Sequence, residues 1–343
     1  MRPDSIFRIY SMTKAVTGVA VMMLFEQGKF SLQDPISKFL PEFEHPKVVI
    51  DKTDAGRRVV YSVPADREIT ILDLLRHTSG LNYAGPRDEQ GKPVYDRTKI
   101  SGAGHDAMPL ADFTKRLAEA GLVHQPGAIW DYGFSIDVLG RLVEVTSGQP
   151  LDEFFAEHIF KPLKMVDTGF YVPEEKLSRL VVLYAPQRDG TITRSTDALQ
   201  QDGYTKKPIL FMGGAGLTST AMDYARFVQM LLNGGELDGT RLLSPKTVDL
   251  MRSDLLGDIP RVGGLPGPGY GFGLTFEVNL GPGRTGLAVS KGEYNWSGAA
   301  GTSFWIDPQE KMIGVFMMQT MGDGAKNRRF KQLAYQSIVE EEK

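Results

Sequence analysis

Ser11-Met12-Thr13-Lys14 is the stretch whose residue types and spacing could do chemistry. On a helix, residues three apart share a face one turn apart, so a lysine amine at 14 can reach a serine hydroxyl at 11. A lysine near its ordinary pKa of about 10.4 keeps its proton at neutral pH. Burial beside Ala15, Val16 and Val19 is expected to lower that value, leaving the neutral amine that a general base needs to activate a serine nucleophile. A helix start at Ser11 also offers free backbone N–H groups to negative charge developing on a carbonyl under attack. Taken alone the tetrapeptide is not specific, since about one match is expected by chance in a chain of this length.

Other chemistries are poorly served. No G-x-S-x-G stretch occurs, so the strained strand-to-helix elbow that carries many Ser-His-Asp triads has no counterpart. His45, His77, His105, His124 and His158 are scattered, with no pair at i, i+4 beside a glutamate, and are expected to be structural instead of zinc ligands. Gly28-Lys29 lacks the upstream glycine of a phosphate loop, and Gly267-Pro268-Gly269-Tyr270-Gly271 puts a proline where a pyrophosphate needs backbone donors. The absence of cysteine excludes disulfides, thiolate metal sites and cysteine nucleophiles together. Lys plus Arg number 39 against 42 Asp plus Glu, a formal charge of -3 with no basic block, so no nucleic-acid partner is expected.

The elements that must position Ser11 follow from periodicity. A chain of 343 residues, 41% of them hydrophobic, can bury one large core or two subdomains. The apolar run 15–25 is too short for a membrane span of roughly 20 residues, and Glu26-Gln27-Gly28-Lys29 after it offers no small-residue cleavage site, so it reads as a buried helix. It begins at Ser11, after a strand end at 6–10, and stops near Gly28. A hairpin is expected from 47–50 and 58–63 around Asp54-Ala55-Gly56, then helices over 71–77, 110–120, 136–146, 151–160 and 220–233. Runs 270–278, 287–291, 302–307 and 312–319 are strand-like, and 328–340 is a closing amphipathic helix. The implied fold is α/β in the α+β sense: an antiparallel sheet flanked by helices, with a mostly helical insertion. Residues 1–45 with 225–343 would form the sheet-containing domain and 46–224 the helical one, the site lying at their junction.

The context of Ser11 is Phe7-Arg8-Ile9-Tyr10-Ser11-Met12-Thr13-Lys14, then Gly28-Lys29-Phe30-Ser31-Leu32-Gln33-Asp34-Pro35 and Ile69-Thr70-Ile71-Leu72-Asp73-Leu74-Leu75-Arg76-His77-Thr78-Ser79-Gly80-Leu81. Further along come Pro126-Gly127 before Trp130-Asp131-Tyr132, Leu139-Gly140-Arg141-Leu142-Val143-Glu144 and Pro162-Leu163-Lys164-Met165-Val166-Asp167-Thr168. Nearly end to end, these ordered runs resemble the β-lactamase-related serine hydrolases: class C β-lactamases, D-alanyl-D-alanine carboxypeptidases and family VIII carboxylesterases. The resemblance implies a β-lactamase/transpeptidase-like fold, Ser11 as nucleophile, Lys14 as its base and Tyr132, from a Tyr-x-Asn-like position, as proton shuttle to the leaving group. Phe134 stands where β-lactamases keep an asparagine that contacts the substrate amide. Trp296-Ser297-Gly298 stands for their Lys-Thr-Gly strand, a Trp-x-Gly form that family VIII esterases show. Ser11 and Ala299 would supply the oxyanion-hole N–H groups, and Trp296, Gly298, Phe134, Tyr83, Trp130, Phe272 and Trp305 the substrate pocket.

What the resemblance implies is a carboxylesterase acting on short-to-medium acyl esters through an acyl-enzyme, with no cofactor or metal. An acyltransferase, an amide hydrolase of the β-lactamase or D-aminopeptidase type, and a non-catalytic binding protein are the alternatives. Members of that family carry several tens of residues ahead of the serine motif, whereas ten precede Ser11 here. The sheet is therefore expected to be short of elements and the protein to be a homo-oligomer. A cytoplasmic location is expected, with a small-molecule ester as partner and no membrane association.

Overall fold

The computed structural model describes residues 1–88, 90–92, 94, 108–197, 203–281 and 283–339. Its centre is the helix Thr13–Glu26, in which every residue from Thr13 to Met22 is buried. A helix apolar on all sides has to be wrapped by protein, and this one packs against Ser135–Ser147. That second helix in turn contacts Ile71–Leu75, Leu110–Ala120 and Leu151–Phe155, which makes it the hub of the helical part. Among the described residues no helix is long and apolar enough to cross a membrane.

The sheet is a five-stranded antiparallel meander of Tyr270–Phe272, Glu277–Asn279, Tyr294–Ser297, Ser303–Asp307 and Met312–Phe316, neighbours in sequence being neighbours in space. Its registers place Trp296 opposite Phe304 and Asn295 opposite Trp305. Because side chains alternate along a strand, Trp296 and Phe304 share one face and Asn295 and Trp305 the other. Phe304 meets Tyr224 of the helix Ala221–Leu232. Trp305 meets Phe330 of the closing helix Ala325–Gln336. One contiguous core draws on both faces of the chain's plan, from Ile9 and Val16 through Leu139 to Phe276 and Phe304.

Mixed helix and antiparallel sheet is thus the fold class, with several local differences from the periodicity. The run 270–278 is two strands, because Thr275 at φ +73° and a Gly273 N–H to Phe276 carbonyl bond fold it into a tight turn. The run 287–291 is not a strand. At the N-terminus Phe7–Arg8 pairs with Thr218–Ser219 and not with the five-stranded sheet. The helix expected over 151–160 is α-helical only at Leu151–Phe155 and continues as a π-helical turn, Ala156–Phe160. The hairpin forms as Lys47–Asp54 paired with Arg57–Pro64.

The segment after Ile71–Leu75 is held by one buried carboxylate. Asp73 closes a capping box with Thr70, accepts from Thr78 Oγ1 at 2.9 Å, and is paired with Arg67 and Arg76. Burial pushes its carboxyl up, but the Arg67 and Thr70 donors outweigh this and hold it below the usual range. A carboxyl with a depressed folded pKa stabilises above its unfolded value of about 3.9, and that contribution fades as pH falls through the folded value. Asp73→Asn should therefore lower unfolding stability by roughly 3 kcal/mol at pH 7, and the gap between variant and wild type in urea titrations should shrink below about pH 4. An unchanged gap at low pH would count against the clamp.

Candidate active site

The chain reaches Ser11 through a fixed approach. The Arg8 N–H donates to Gln319 Oε1 at 2.8 Å and the Ile9 N–H to the Leu217 carbonyl at 3.0 Å. Tyr10 then adopts φ +42°, a left-handed value that a non-glycine residue holds only where its surroundings enforce it. This turns the strand into a single 3-10 turn, Tyr10–Met12, from which the α-helix continues at Thr13. Ser11 thus sits in a 3-10 lead-in, half-buried, with its side chain one turn from Lys14.

Lys14 is 1% exposed, and its ammonium faces oxygen atoms. It donates to the Gly214 carbonyl at 2.7 Å, to the Tyr83 hydroxyl at 2.9 Å and to Ser11 Oγ at 3.4 Å. It also lies 4.6 Å from the centroid of the Tyr132 ring. Burial pushes the ammonium down, as the sequence implies, but Tyr132, Tyr83 and Asp137 favour the charged form more strongly, and the net shift is upward. The expectation of a lysine neutralised by apolar burial is corrected on this point. Tyr132, Tyr83 and Asp137, all distant in sequence from Lys14, thus favour its ammonium form.

Asp137 and Gly214 were not singled out from the sequence. Asp137 Oδ1 accepts from the Gly214 N–H at 2.8 Å, and the carbonyl of the same glycine accepts from Lys14. Burial raises the Asp137 carboxyl to about 6 against the opposing pull of Lys14 and the Gly214 N–H. The one available signal was a carboxylate inside the otherwise apolar face Ile136, Val138 and Leu139. Nothing local marked Gly214.

Tyr132 is boxed by rings. Trp130 stacks on it at 6.0 Å, His77 lies at 4.9 Å, Tyr83 meets it edge-on at 5.2 Å, and Trp296 tilts against it at 5.4 Å. Trp296 also donates its indole N–H to the Tyr132 hydroxyl oxygen at 3.3 Å. Trp296 is therefore a polar partner as well as a wall. His77 is fully buried, and burial together with Lys14 holds its imidazole well below its usual pKa, so it is neutral. Of the other histidines, His124 contacts Asp131 and His158 contacts Gln149, while His105 lies outside the described residues. No group of three or more metal-ligating side chains occurs among the described residues.

The expected pocket residues divide. Tyr83 contacts Lys14 and Tyr132, Trp296 contacts Tyr132, and Gly298 lies against the Ile9 carbonyl just ahead of Ser11. Trp130 and Phe272 are fully buried behind Tyr132 and Trp296, and Phe134 is fully buried behind Tyr83, so they support the site without offering a surface to a substrate. Trp305 does not belong to the site: strand alternation turns it to the opposite sheet face, into a cluster with Val289 and Tyr335.

Two glycines set the spacing of these parts. A Cβ at Gly298 would lie 2.4 Å from the Ile9 carbonyl oxygen, so the sheet strand rests directly on the backbone leading to Ser11, and the exposed Ala299 follows it. A Cβ at Gly133 would lie 2.2 Å from the Leu81 carbonyl oxygen, so the loop carrying Tyr83 rests on the segment carrying Tyr132. Asn82 and His124 both reach Asp131 Oδ2, at 2.8 and 3.0 Å, and tie that contact down.

The family description Beta-lactamase matches residues 1–336. Protein Rv1367c of Mycobacterium tuberculosis is 37% identical over 330 residues, covering 94% of this chain and 79% of that protein. Esterase EstB of Burkholderia gladioli is 32% identical over 351 residues, covering 94% of this chain and 80% of EstB. Among solved structures, EstCE1, described as a hydrolase with promiscuous acyltransferase activity, superposes with a TM-score of 0.76 at 26% identity over 98% of this chain and 85% of its own. A match of that length, on a fold that carries Ser11, Lys14 and Tyr132 to one place, means that the chain belongs to the beta-lactamase family.

Proposed function

We propose that the protein is a carboxylesterase that hydrolyses short-to-medium acyl esters through a Ser11 acyl-enzyme. The observation that carries this reading is the contact of Lys14 Nζ with Ser11 Oγ at 3.4 Å, beside a Tyr132 whose oxygen receives an indole N–H. Ser11 Oγ attacks the ester carbonyl carbon while its proton passes to Lys14, and the C–O bond to the alcohol breaks as the alcohol takes a proton relayed through Tyr132. Water then adds to the acyl carbonyl and releases the acid and Ser11. The backbone N–H groups of Ser11 and Ala299 are the proposed donors to the oxyanion.

Esters fit better than amides. Position 134 is a buried phenylalanine with no group to bind an amide, and an indole stands where an ammonium would hold a carboxylate. Similarity to EstB supports ester hydrolysis, and similarity to EstCE1 supports a second reading in which an alcohol replaces water as the acyl acceptor. Self-association is proposed through the side of the closing helix that exposes Phe330 and Leu333, next to the edge strand Met312–Phe316. A monomer in light scattering at micromolar concentration would remove that part.

With p-nitrophenyl esters of graded chain length, Ser11→Ala should lose roughly a thousandfold or more in kcat, and retention of most of the activity would overturn the assignment. Adding an alcohol at high concentration separates the two readings by the yield of exchanged ester against free acid. Lys14 must shed its proton to act, and its pKa is displaced upward. The rate kcat/KM should therefore climb about tenfold per pH unit from pH 6 to 9. A plateau starting near neutrality would overturn the upward displacement and return Lys14 to the lowered value that apolar burial by itself implies.

A further inference from the structure

Tyr83 does more than line a pocket. Its hydroxyl oxygen, 2.9 Å from Lys14 Nζ, is closer to the amine than Ser11 Oγ is at 3.4 Å. We propose that Tyr83 is a positioning residue whose hydroxyl orients the Lys14 amine so that its lone pair faces Ser11. This rests on the Ser11–Lys14 reaction proposed above and adds the group that aims it.

An ammonium has three N–H bonds, and Lys14 donates to the Gly214 carbonyl, the Tyr83 hydroxyl and Ser11 Oγ, with the Tyr132 hydroxyl also bearing on it from the reacting side. A carbonyl oxygen can only accept. When the side chain loses a proton, the two remaining N–H bonds keep the two shorter contacts, to Gly214 and Tyr83. The tetrahedral nitrogen then has its lone pair left on the Ser11 side, which is where the serine proton must go. Without the Tyr83 oxygen, an N–H is free to turn toward Ser11 and the lone pair away from it.

The fold holds Tyr83 to this task. Its ring stands edge-on to Tyr132 at 5.2 Å and to Phe134 at 4.7 Å, with interplanar angles of 86° and 87°. Its backbone N–H points to the Tyr132 carbonyl at 3.4 Å, and the close approach at Gly133 keeps the two segments together. Burial, ahead of the effects of Lys14 and Tyr132, raises the phenol, so Tyr83 keeps its own proton while its oxygen accepts a hydrogen bond from the amine. Phe134 presents only a ring on this side, so the hydroxyl of Tyr83 is the polar atom of the pair.

Tyr83→Phe keeps the ring and removes the oxygen. Two rates decide the matter: kcat and KM for p-nitrophenyl butyrate from pH 6 to 10, and the second-order rate at which a fluorophosphonate probe is captured at Ser11, with Ser11→Ala as the blank. The expected result is a loss of about 10- to 100-fold in kcat with KM within about twofold, and an equal loss in capture rate. The pH limb should also move to lower pH, because the Lys14 ammonium has lost an acceptor. Melting temperatures of the two proteins are compared alongside, and the expected result requires them to agree within a few degrees. Unchanged capture and an unmoved pH limb would overturn the proposal, as would a gain in both rates, which would mean that Tyr83 holds the amine away from the serine. If wild type is captured at Ser11 but hydrolyses no ester, the carboxylesterase reading fails, and the capture rates still decide the role of Tyr83.

Discussion

A charged amine inside a protein core is the constraint around which this molecule is arranged. Lys14 emerges from the most deeply buried helix, and an unpaired ammonium there would cost several kcal/mol. Its compensation comes from other parts of the chain: the Gly214 carbonyl, the Tyr83 hydroxyl, the face of the Tyr132 ring and the field of Asp137. Satisfying it requires the helices Thr13–Glu26 and Ser135–Ser147 to lie side by side with Gly213 and Gly214 laid across them. Thr17 Oγ1 donates to the Gly213 carbonyl at 2.6 Å, and Asp137 Oδ1 accepts from the Gly214 N–H at 2.8 Å, so the strap is bound to both helices. The same contacts that make the buried charge tolerable also hold the amine one turn from Ser11.

Rings supply the rest of the setting. Trp130 and Phe272 pack together fully buried behind Tyr132 and Trp296, and the buried Phe134 stands behind Tyr83, in edge or face contacts worth about 0.5–1.5 kcal/mol apiece. Braced rings have few alternative rotamers, so the Tyr132 hydroxyl and the Trp296 indole N–H keep their alignment without a network of polar side chains. The sheet delivers Trp296 to these rings because its strand alternates, and that same alternation carries Trp305 away to the closing helix.

Much of the scaffold was legible because it is local. The helix Thr13–Glu26, the hairpin Lys47–Asp54 with Arg57–Pro64, and the helices Leu110–Ala120, Ser135–Ser147 and Ala221–Leu232 follow from apolar periodicity and the turn or capping residues between them. The pairing of Phe7–Arg8 with Thr218–Ser219 was not legible, since two-residue strands have no periodicity to read. Nor was the break at Thr275, where a left-handed turn is adopted by a residue type that does not announce it.

The sequence by itself determined that a serine and a lysine stand three residues apart at a helix start, in an ordered context that points to serine hydrolysis. It also determined that positions 134 and 296 carry rings, at places where the resemblance to β-lactamases implies polar groups for an amide and a carboxylate. Only the tertiary structure decided which way the Lys14 pKa is displaced. Burial beside Ala15 and Val16 is visible in the sequence and argues for a neutral amine. The sum over the whole site runs the other way, because it includes Tyr132, Tyr83 and Asp137, which only the fold brings to the amine. Electrostatic free energy adds over distance in space, and folding alone sets those distances.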